Sequence, residues 1–244
     1  MGYCRQTALP ETEPVSLADA KNWLRLPSGF TDDDSLITGL IQAAREHAET
    51  ITGRALAKRT FRQVLDSMPY YTDTIQSQLA YPPSYYSLPR YSTTLWNYSQ
   101  MIKLAYAPCI SVQQMRYIDD AGNVQVMNQD TDFVLDRQTE PARIFPSVGQ
   151  FWPANLYVAN AVEIDFTAGY DPNPEAEPDE HDVSANPPNQ QPDSIIVTAV
   201  PQTIRRCLML LVSWWYDNRQ AEAPDNINQI LLGQSVIDFQ PTRG

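Results

Sequence analysis

Apolar residues recur at helical spacing near the start of the chain and predict two helices. The first helix begins at a capping-box pattern, Ser16 followed by Asp19. Its apolar face consists of Leu17, Ala20 and Leu24. The second helix follows Thr31, which is predicted to cap it, and ends before Gly53, a residue suited to the left-handed position after a helix. Its apolar stripe consists of Ile37, Leu40, Ile41, Ala44, Ala48 and Ile51.

The spacing of apolar residues changes to a period of two from Thr60 onward and predicts strands. Phe61, Val64 and Leu65 indicate the first of them. Short candidates follow at Ile102–Leu104, Val112–Ile118, Val124–Met127, Phe133–Leu135 and Arg143–Phe145. A half-buried strand with alternating polar residues runs from Val162 to Thr167 and closes at Gly169. Short strands joined by turns predict an antiparallel sheet or a small barrel.

Helical spacing returns at the carboxyl end of the chain. Pro201 suits the first position of a helix. One face of this helix is formed by Ile204, Cys207, Leu208, Leu211, Val212 and Trp215. Because neighbouring residues are 100° apart around a helix, Trp214 and Trp215 cannot both join that face, and one of them is expected to meet the β region or a neighbouring subunit. A short helix capped by Asp225 or Asn226 is predicted to end at Leu232.

These elements predict an α+β fold, in which a helical bundle of two N-terminal and two C-terminal helices is interrupted by an antiparallel β insertion domain. The predicted segments are the N-terminal helices in 1–58, the β domain in 59–170 with a Tyr-rich insertion in 68–100, a flexible acidic and proline-rich loop in 171–197, the C-terminal helices in 198–232 and a tail in 233–244.

Two segments differ in composition from the rest of the chain. Residues 68–100 hold seven of the thirteen tyrosines and show neither helical nor strand spacing, which is typical of a segment that orders against a partner. Residues 171–194 hold seven acidic residues and no Lys or Arg, and so account for −7 of the formal net charge of −12. This charge argues against a protein that grips nucleic acid through clustered Lys and Arg, but allows a surface past which DNA slides.

The candidate chemistry of the sequence is sparse. Cys4, Cys109 and Cys207 are scattered, which predicts reduced thiols and neither disulfides nor zinc ligands. His47 is expected to be structural or exposed, and His181 lies in an acidic loop that is expected to be solvated. The sequence also lacks a signal peptide and any apolar run long enough for a membrane span. We therefore predict no catalytic residues, no metal and no cofactor.

One pair of carboxylates leaves an enzymatic alternative open. Glu163 and Asp165 project from the same face of one strand, at a separation of roughly 7 Å. Paired carboxylates near that distance serve glycoside hydrolysis. The commoner interpretation is an exposed strand face, but a carbohydrate-binding or glycosidase-like module that uses these residues and the Tyr-rich segment is the alternative function.

The order of these patterns resembles the head–tail connector (adaptor, or head-completion) proteins of long-tailed bacteriophages and prophages. Four groups of stretches carry the resemblance: Pro14–Lys21 with Asp33–Ile37 and Ala43–Arg54; Ile102–Leu104 with Pro108, Val112, Tyr117, Asp120 and Gly122; Arg143–Ile144 with Trp152–Pro153, Val162–Ile164 and Thr167–Tyr170; and Val200–Ile204 with Trp215–Arg219. The segments Met68–Gln100 and Asp171–Ser194 depart from the family by their length.

The resemblance implies a structural protein of the virion neck, assembled in the cytoplasm of the bacterial host. It implies a homo-oligomeric ring of twelve copies between the portal protein and a tail, stopper or tail-terminator protein. Such a ring extends the channel for double-stranded DNA, and an acidic lumen would let DNA pass without sequence-specific binding. Another virion component of the same tail interface is a further alternative.

Two sets of residues are predicted to make the contacts of the connector. In the family, C-terminal segments dock on the portal, and the corresponding apolar residues here are Ile227, Ile230, Leu231, Val236, Ile237 and Phe239. A small domain is expected to have difficulty burying this series alone. Contacts between subunits or with the tail are assigned to Tyr81, Tyr85, Tyr86, Tyr91, Trp96 and Trp214.

Overall fold

The computed structural model describes residues 2–10, 12–27, 29–69, 100–154, 156–170, 199–219 and 221–236. Over these residues the chain forms four helices and two antiparallel sheets, which confirms the α+β class. Most of the Tyr-rich segment, the whole acidic loop and the end of the C-terminal tail lie outside the described residues.

The helices are α1 (Leu17–Trp23), α2 (Asp34–Thr52), α3 (Gln202–Asp217) and α4 (Asp225–Leu232). At α1 the hydroxyl of Ser16 accepts a hydrogen bond from the Asp19 N–H at 3.1 Å, as predicted. Two predicted caps are wrong. Asp33 rather than Thr31 precedes α2, and Pro224 rather than Asp225 or Asn226 precedes α4, in both cases without a capping side-chain hydrogen bond.

The four helices, called here the helical layer, bury their apolar faces against one another. Their shared core is formed by Val15, Ala20, Ile37, Ile41, Ala44, Ala48, Leu56, Tyr170, Ile204, Cys207, Leu208, Leu211, Val212, Ile227 and Leu231. The residues from α2 are those of its predicted stripe, which confirms the helical period. Gly53 ends α2 with φ of +66°, the left-handed conformation that favours glycine.

The strands, called together the β part, are β1 (Gly2–Gln6), β2 (Arg59–Leu65), β3 (Ile102–Lys103), β4 (Cys109–Ile118), β5 (Val124–Met127), β6 (Phe133–Asp136), β7 (Arg143–Pro146) and β8 (Val162–Ala168). A five-stranded sheet has the order β1-β2-β8-β4-β5, and a three-stranded sheet has the order β3-β7-β6. Buried side chains of both sheets share one core, which includes Phe61, Met115, Phe133, Ile144, Ile164 and Phe166.

Strand β1 is absent from the sequence-based prediction. It lies before the helices in the chain but pairs with β2, with Tyr3 opposite Val64 and Arg5 opposite Arg62. The β part is therefore not simply an insertion between helices, since one of its edge strands comes from the chain's beginning. The chain passes between the two parts again at Gly169, where φ is +121° and an added Cβ would lie 2.4 Å from the carbonyl oxygen of Ala57.

Candidate interaction surfaces

The C-terminal helix α4 carries four large apolar residues, Ile227, Ile230, Leu231 and Leu232. The helical layer buries two of them. Ile227 and Leu231 face the core and are only 4% and 0% exposed. Contrary to the expectation that a small domain has difficulty burying this series, α2 and α3 cover these two residues. Ile230 and Leu232 flank this buried face, one on each side, and are exposed.

The segment after α4 is attached to the end of α2. The Val236 N–H donates to the Thr52 carbonyl oxygen at 2.9 Å, and Arg54 Nε donates to the Gln234 carbonyl oxygen at 2.9 Å. The same guanidinium reaches Glu140 at 2.7 Å, and so links this segment to the β part. The chain is thus held in place as far as Val236, while Ile237 and Phe239 lie outside the described residues.

The two adjacent tryptophans of α3 have different surroundings. Trp215 packs against the helical core, with its ring edge-on to His47 at 5.8 Å between centroids. His47 also lies 2.8 Å from Asn228 on α4, measured between Nε2 and Oδ1. Trp214 is 40% exposed and donates from Nε1 to the Glu222 carbonyl oxygen. His47 therefore has a structural position, and Trp214 is the tryptophan available to a neighbour.

The remaining predicted interface residues lie outside the described residues: Tyr81, Tyr85, Tyr86, Tyr91 and Trp96. Their assignment to subunit or tail contacts stays a prediction.

One face of the five-stranded sheet, called here the outer face, carries an alternating network of charges. Arg62 Nε and Nη2 donate to the two carboxylate oxygens of Asp165 at 2.6 and 2.8 Å. Arg116 Nε donates to Glu163 Oε2 at 2.6 Å. Longer contacts of 3.8 Å join Arg62 to Glu163 and Arg116 to Asp165. The hydrogen bonds with Asp165 raise the pKa of Arg62.

This network changes the interpretation of Glu163 and Asp165. A glycosidase needs one carboxyl group that stays protonated in a desolvated setting and a second, ionised one with a path for substrate or water. Here each carboxylate instead accepts hydrogen bonds from a guanidinium on a neighbouring strand. The pair is therefore arranged as a cross-strand salt-bridge network. The sequence held only part of this signal: Arg62 and Arg116 fall on polar positions of predicted strands, but only the pairing of those strands with β8 places them beside the carboxylates.

A second network of charges is buried where the helical layer meets β2. Glu49 Oε2 accepts hydrogen bonds from Arg45 at 3.0 Å and from Arg59 at 2.7 Å, and Glu49 Oε1 accepts one from the Leu56 N–H at 2.8 Å. Glu13 adds a second carboxylate to Arg45 at 2.9 Å. The carboxylate of Glu49 thus joins α2 to β2, and its loss would leave buried charges unpaired.

Large apolar side chains are unevenly exposed along the described chain. Seven of the thirteen exposed ones lie in the β part between residues 124 and 158: Val124, Val126, Val134, Val148, Phe151, Tyr157 and Val158. Isolated apolar side chains on a surface are ordinary, but a concentration of them marks a region suited to protein contacts.

Three further features of the described residues concern membrane spans, metal ligands and clefts. The described helices include none that is both long and apolar enough to cross a membrane. Within the described ranges, no three His, Cys, Asp or Glu side chains are grouped as a metal site. A cleft of about 300 Å³ lies between the N-terminal segment and α3 and is bordered by Glu13, Asp19, Tyr170 and Arg205. Asp19 and Arg205 form an ion pair there at 2.7 Å, and the cleft shows no grouping of catalytic side chains.

Comparison with known proteins gives a family model that matches part of the chain and solved structures of similar fold. Residues 14–82 match the model of the phage gp6-like head-tail connector protein family. Among curated proteins no match is found.

Three solved structures of gene transfer agent (GTA) particles contain chains of similar fold. A chain from the neck of an empty GTA particle with C6 symmetry aligns with a TM-score of 0.64 at 19% identity, covering 99% of this chain and 100% of its own. A chain from the virion of a native GTA particle aligns with a TM-score of 0.62 at 18% identity, covering 99% of both chains. A chain from the neck of a native GTA particle with C12 symmetry gives 0.62 at 18% identity, covering 99% and 100%.

The chain thus has, over nearly its whole length, the fold of these chains from GTA particles. The resemblance inferred from the sequence is confirmed over residues 14–82, which match the phage gp6-like head-tail connector family.

Proposed function

We propose that this chain is a head–tail connector, a structural protein that forms a ring in the neck of a virion between the portal protein and the tail. The main support is the agreement of two independent comparisons. Residues 14–82 match the connector family, and the chain shares its fold with chains from particle necks. The role involves no catalysis. The C6 and C12 symmetry of those necks supports a ring, and we assign this chain a ring of twelve copies.

The charge of the chain suits a channel for DNA. A net charge of −12 gives DNA little to bind, so a duplex can move past an acidic surface without being held. The Arg residues on the outer face of the sheet do not alter this, because Arg62 and Arg116 are neutralised by Asp165 and Glu163. The ring therefore extends the channel of the portal without recognising sequence.

The C-terminal tail is the segment that we assign to the portal. The structure holds it as far as Val236, and apolar residues follow at Ile237 and Phe239. On α4, Ile230 is exposed near the point where the tail leaves the helical layer, and it extends the same apolar series. The opposite contact, with a tail, stopper or tail-terminator protein, is assigned to the exposed apolar side chains of the β part.

The portal contact is tested by mass determination of the protein mixed with its portal ring. Three chains are compared: the full-length protein, a chain that ends at Val236, and the full-length Leu232→Ala variant as a control at an exposed position. The truncation keeps every helix contact described here, including Ile227 and Leu231. We expect the full-length protein and Leu232→Ala to join the portal, and the truncated chain to fold but stay free.

Two results would contradict the proposal. If the full-length protein stays free in the presence of the portal, the connector function is wrong. If the truncated chain joins the portal as well as the full-length one, the connector function stands but the tail does not dock. Circular dichroism of the truncated chain separates loss of docking from loss of folding.

The carbohydrate-binding alternative has lost its chemical basis. Its two carboxylates are paired with Arg62 and Arg116 on the outer face of the sheet. Glu163→Gln would be expected to weaken this pairing and to leave any glycan-binding measurement unchanged.

A further inference from the structure

The five-stranded sheet ends on both sides in a strand whose outer edge meets no other described strand. β1 pairs only with β2, and β5 pairs only with β4, among the described residues. Such an edge presents unpaired N–H and C=O groups, and proteins usually cover it, shorten it or protect it with charges or proline. Neither β1 nor β5 contains proline, so both edges can accept a further strand.

The hydrogen-bond alternation identifies which backbone groups of β1 point outward. The Thr7 N–H donates to the Thr60 carbonyl oxygen at 2.9 Å, so Thr7 belongs to a hydrogen-bonded pair with β2. In an antiparallel ladder such pairs alternate with non-bonded ones, so Tyr3 and Arg5 also bond to β2. The N–H and C=O groups of Cys4 therefore point to the open edge.

The hydrogen-bond alternation also identifies which backbone groups of β5 point outward. The Asp119 N–H donates to the Asn123 carbonyl oxygen at 3.0 Å, which makes that pair the bonded one. Alternation along the β4–β5 register then turns the N–H and C=O groups of Val124 and Val126 away from β4. Both valine side chains are exposed as well. The β5 edge thus offers free backbone groups flanked by apolar side chains.

The two open edges fit each other in direction and in face. All neighbouring strands of the sheet are antiparallel, so β1 and β5, four steps apart, run in the same direction. Tyr3, Val64, Glu163, Arg116 and Val126 form one row across the sheet, so the exposed Tyr3 and Val126 lie on the same outer face at opposite edges. A copy related by rotation in a ring presents β1 to β5 in this orientation.

We propose that a second copy of this chain adds its β1 to the open edge of β5, in parallel, with Tyr3 of one copy beside Val126 of the next. In that register the Val126 N–H donates to the Gly2 carbonyl oxygen, and the Cys4 N–H donates to the Val126 carbonyl oxygen. Tyr3 then packs against Val126, a favourable aromatic and β-branched pair. The sheets of neighbouring copies join into one. This inference rests on the proposed ring.

The dimensions of such a ring are compatible with a DNA channel. Five strands at a spacing of about 4.8 Å give each copy a width of about 24 Å. Twelve copies, as in the neck with C12 symmetry, would then form a circle of strands with a circumference of about 290 Å and a radius of about 46 Å. This radius leaves space inside the strands for further protein and a duplex.

The test is disulfide cross-linking of the protein assembled on its portal ring. All variants carry Cys4→Ser, and Cys109 and Cys207 are kept because they are buried. Tyr3→Cys is combined with Val126→Cys, and the matched control combines Tyr3→Cys with Val134→Cys, an exposed position on the other sheet. Residues 3 and 126 of one copy lie about 19 Å apart across four strand spacings, so a disulfide between them must join two copies.

We expect a ladder of covalent oligomers on a non-reducing gel for the 3/126 pair and none for the control. A ladder from Tyr3→Cys with Val124→Cys would support the same edge pairing, shifted by two residues. Val126→Pro, which removes the outward N–H, is expected to abolish ring formation, while Val126→Thr keeps the N–H and the ring. Circular dichroism confirms that each variant is folded.

The results separate this inference from the connector function. If the protein forms a ring on the portal, but neither pair gives a ladder and Val126→Pro assembles like the wild type, the edge pairing is overturned and the connector function stands. If the mass of the wild type with its portal shows no ring, the connector proposal fails, and the edge pairing fails with it.

Discussion

The helical layer and the β part bury their apolar surfaces to different extents. The helical layer turns its apolar stripes inward, so that even the short helix α4 buries Ile227 and Leu231 in the common core. The β part also has a core, but its five-stranded sheet leaves two strand edges without a described partner, and seven large apolar side chains are exposed between residues 124 and 158. The helical layer thus buries its apolar stripes within one chain, and its exposed apolar residues, such as Trp214 and Ile230, lie outside those stripes. The β part also leaves strand edges of the kind that an assembly can cover.

The two regions also differ in how deeply their ion pairs are buried. Glu49 is buried between Arg45 and Arg59 and holds the helical layer to β2. On the outer face of the sheet, Glu163 and Asp165 pair with Arg62 and Arg116 while remaining in contact with water. A buried pair is costly to break because the remaining charge stays desolvated, whereas an exposed pair contributes little. Substitutions in the two networks are therefore expected to lower the free energy of unfolding by very different amounts.

The largest effect is expected for Glu49→Ala. This change leaves Arg45 and Arg59 buried without their shared carboxylate and should lower the free energy of unfolding by about 4 kcal/mol. Glu46→Ala is the matched control, because Glu46 contacts Arg45 from an exposed position and its loss should cost less than about 1 kcal/mol. Urea denaturation measures both values, and equal effects of the two changes would contradict the buried network.

The next effect concerns the closed core around α4. Leu231→Ala removes a fully buried side chain and should lower the free energy of unfolding by about 3 kcal/mol. Leu232→Ala, at the neighbouring exposed position, should change it by less than about 0.5 kcal/mol. Thermal and urea unfolding measure the difference. If Leu231→Ala leaves stability unchanged, then α4 is not part of the helical core.

A smaller effect is expected on the outer face of the sheet. Arg62→Met removes the bidentate pair with Asp165 and should cost about 1 kcal/mol at low salt. Because the pair is accessible to solvent ions, the difference from the wild type should shrink as salt is added. Arg62→Lys keeps the charge but loses the bidentate geometry, so its stability should lie between those of the wild type and Arg62→Met. A cost that does not change with salt would show that the network is more buried than described.

The smallest effect is expected at the turn between β4 and β5. Hydrogen bonds from the backbone of Asn123 and from Gln125 lower the pKa of Asp119. A depressed carboxyl pKa adds stability above the unfolded pKa, and that stability is lost as the pH falls through the folded pKa. The advantage of the wild type over Asp119→Asn should therefore be constant between pH 7 and pH 5 and decline below about pH 4. Urea midpoints across this range test it, and an advantage that grows on acidification would contradict the assignment.

Much of the fold follows from the pattern of residues. The strand at Val124–Met127 and the end of α2 at Gly53 are found where the sequence predicts them, because alternation and the glycine cap are local signals. Strand β1 is missed because its five residues, Gly2 to Gln6, lack an apolar alternation, and only pairing with β2 defines it. The predicted caps of α2 and α4 are wrong because neither helix start is defined by a capping side chain: Asp33 and Pro224 precede the helices without a side-chain capping hydrogen bond.

The interaction surfaces are less accessible to sequence reasoning. Ile227 and Leu231 have the same apolar character as Ile230, and only tertiary packing decides which of them is available to a partner. The carboxylates Glu163 and Asp165 suggest chemistry until the register places Arg62 and Arg116 beside them. The open edges of β1 and β5 become visible only when the order of strands is known.

The most direct test of the difference between the two regions is hydrogen exchange, measured by mass spectrometry on the free protein and on the ring assembled with its portal. The account predicts that peptides containing Cys4 in β1 and Val126 in β5 exchange slowly only in the ring, while the peptides of α2 and α3 exchange alike in both states. New protection confined to α2 and α3, with β1 and β5 unchanged, would contradict it.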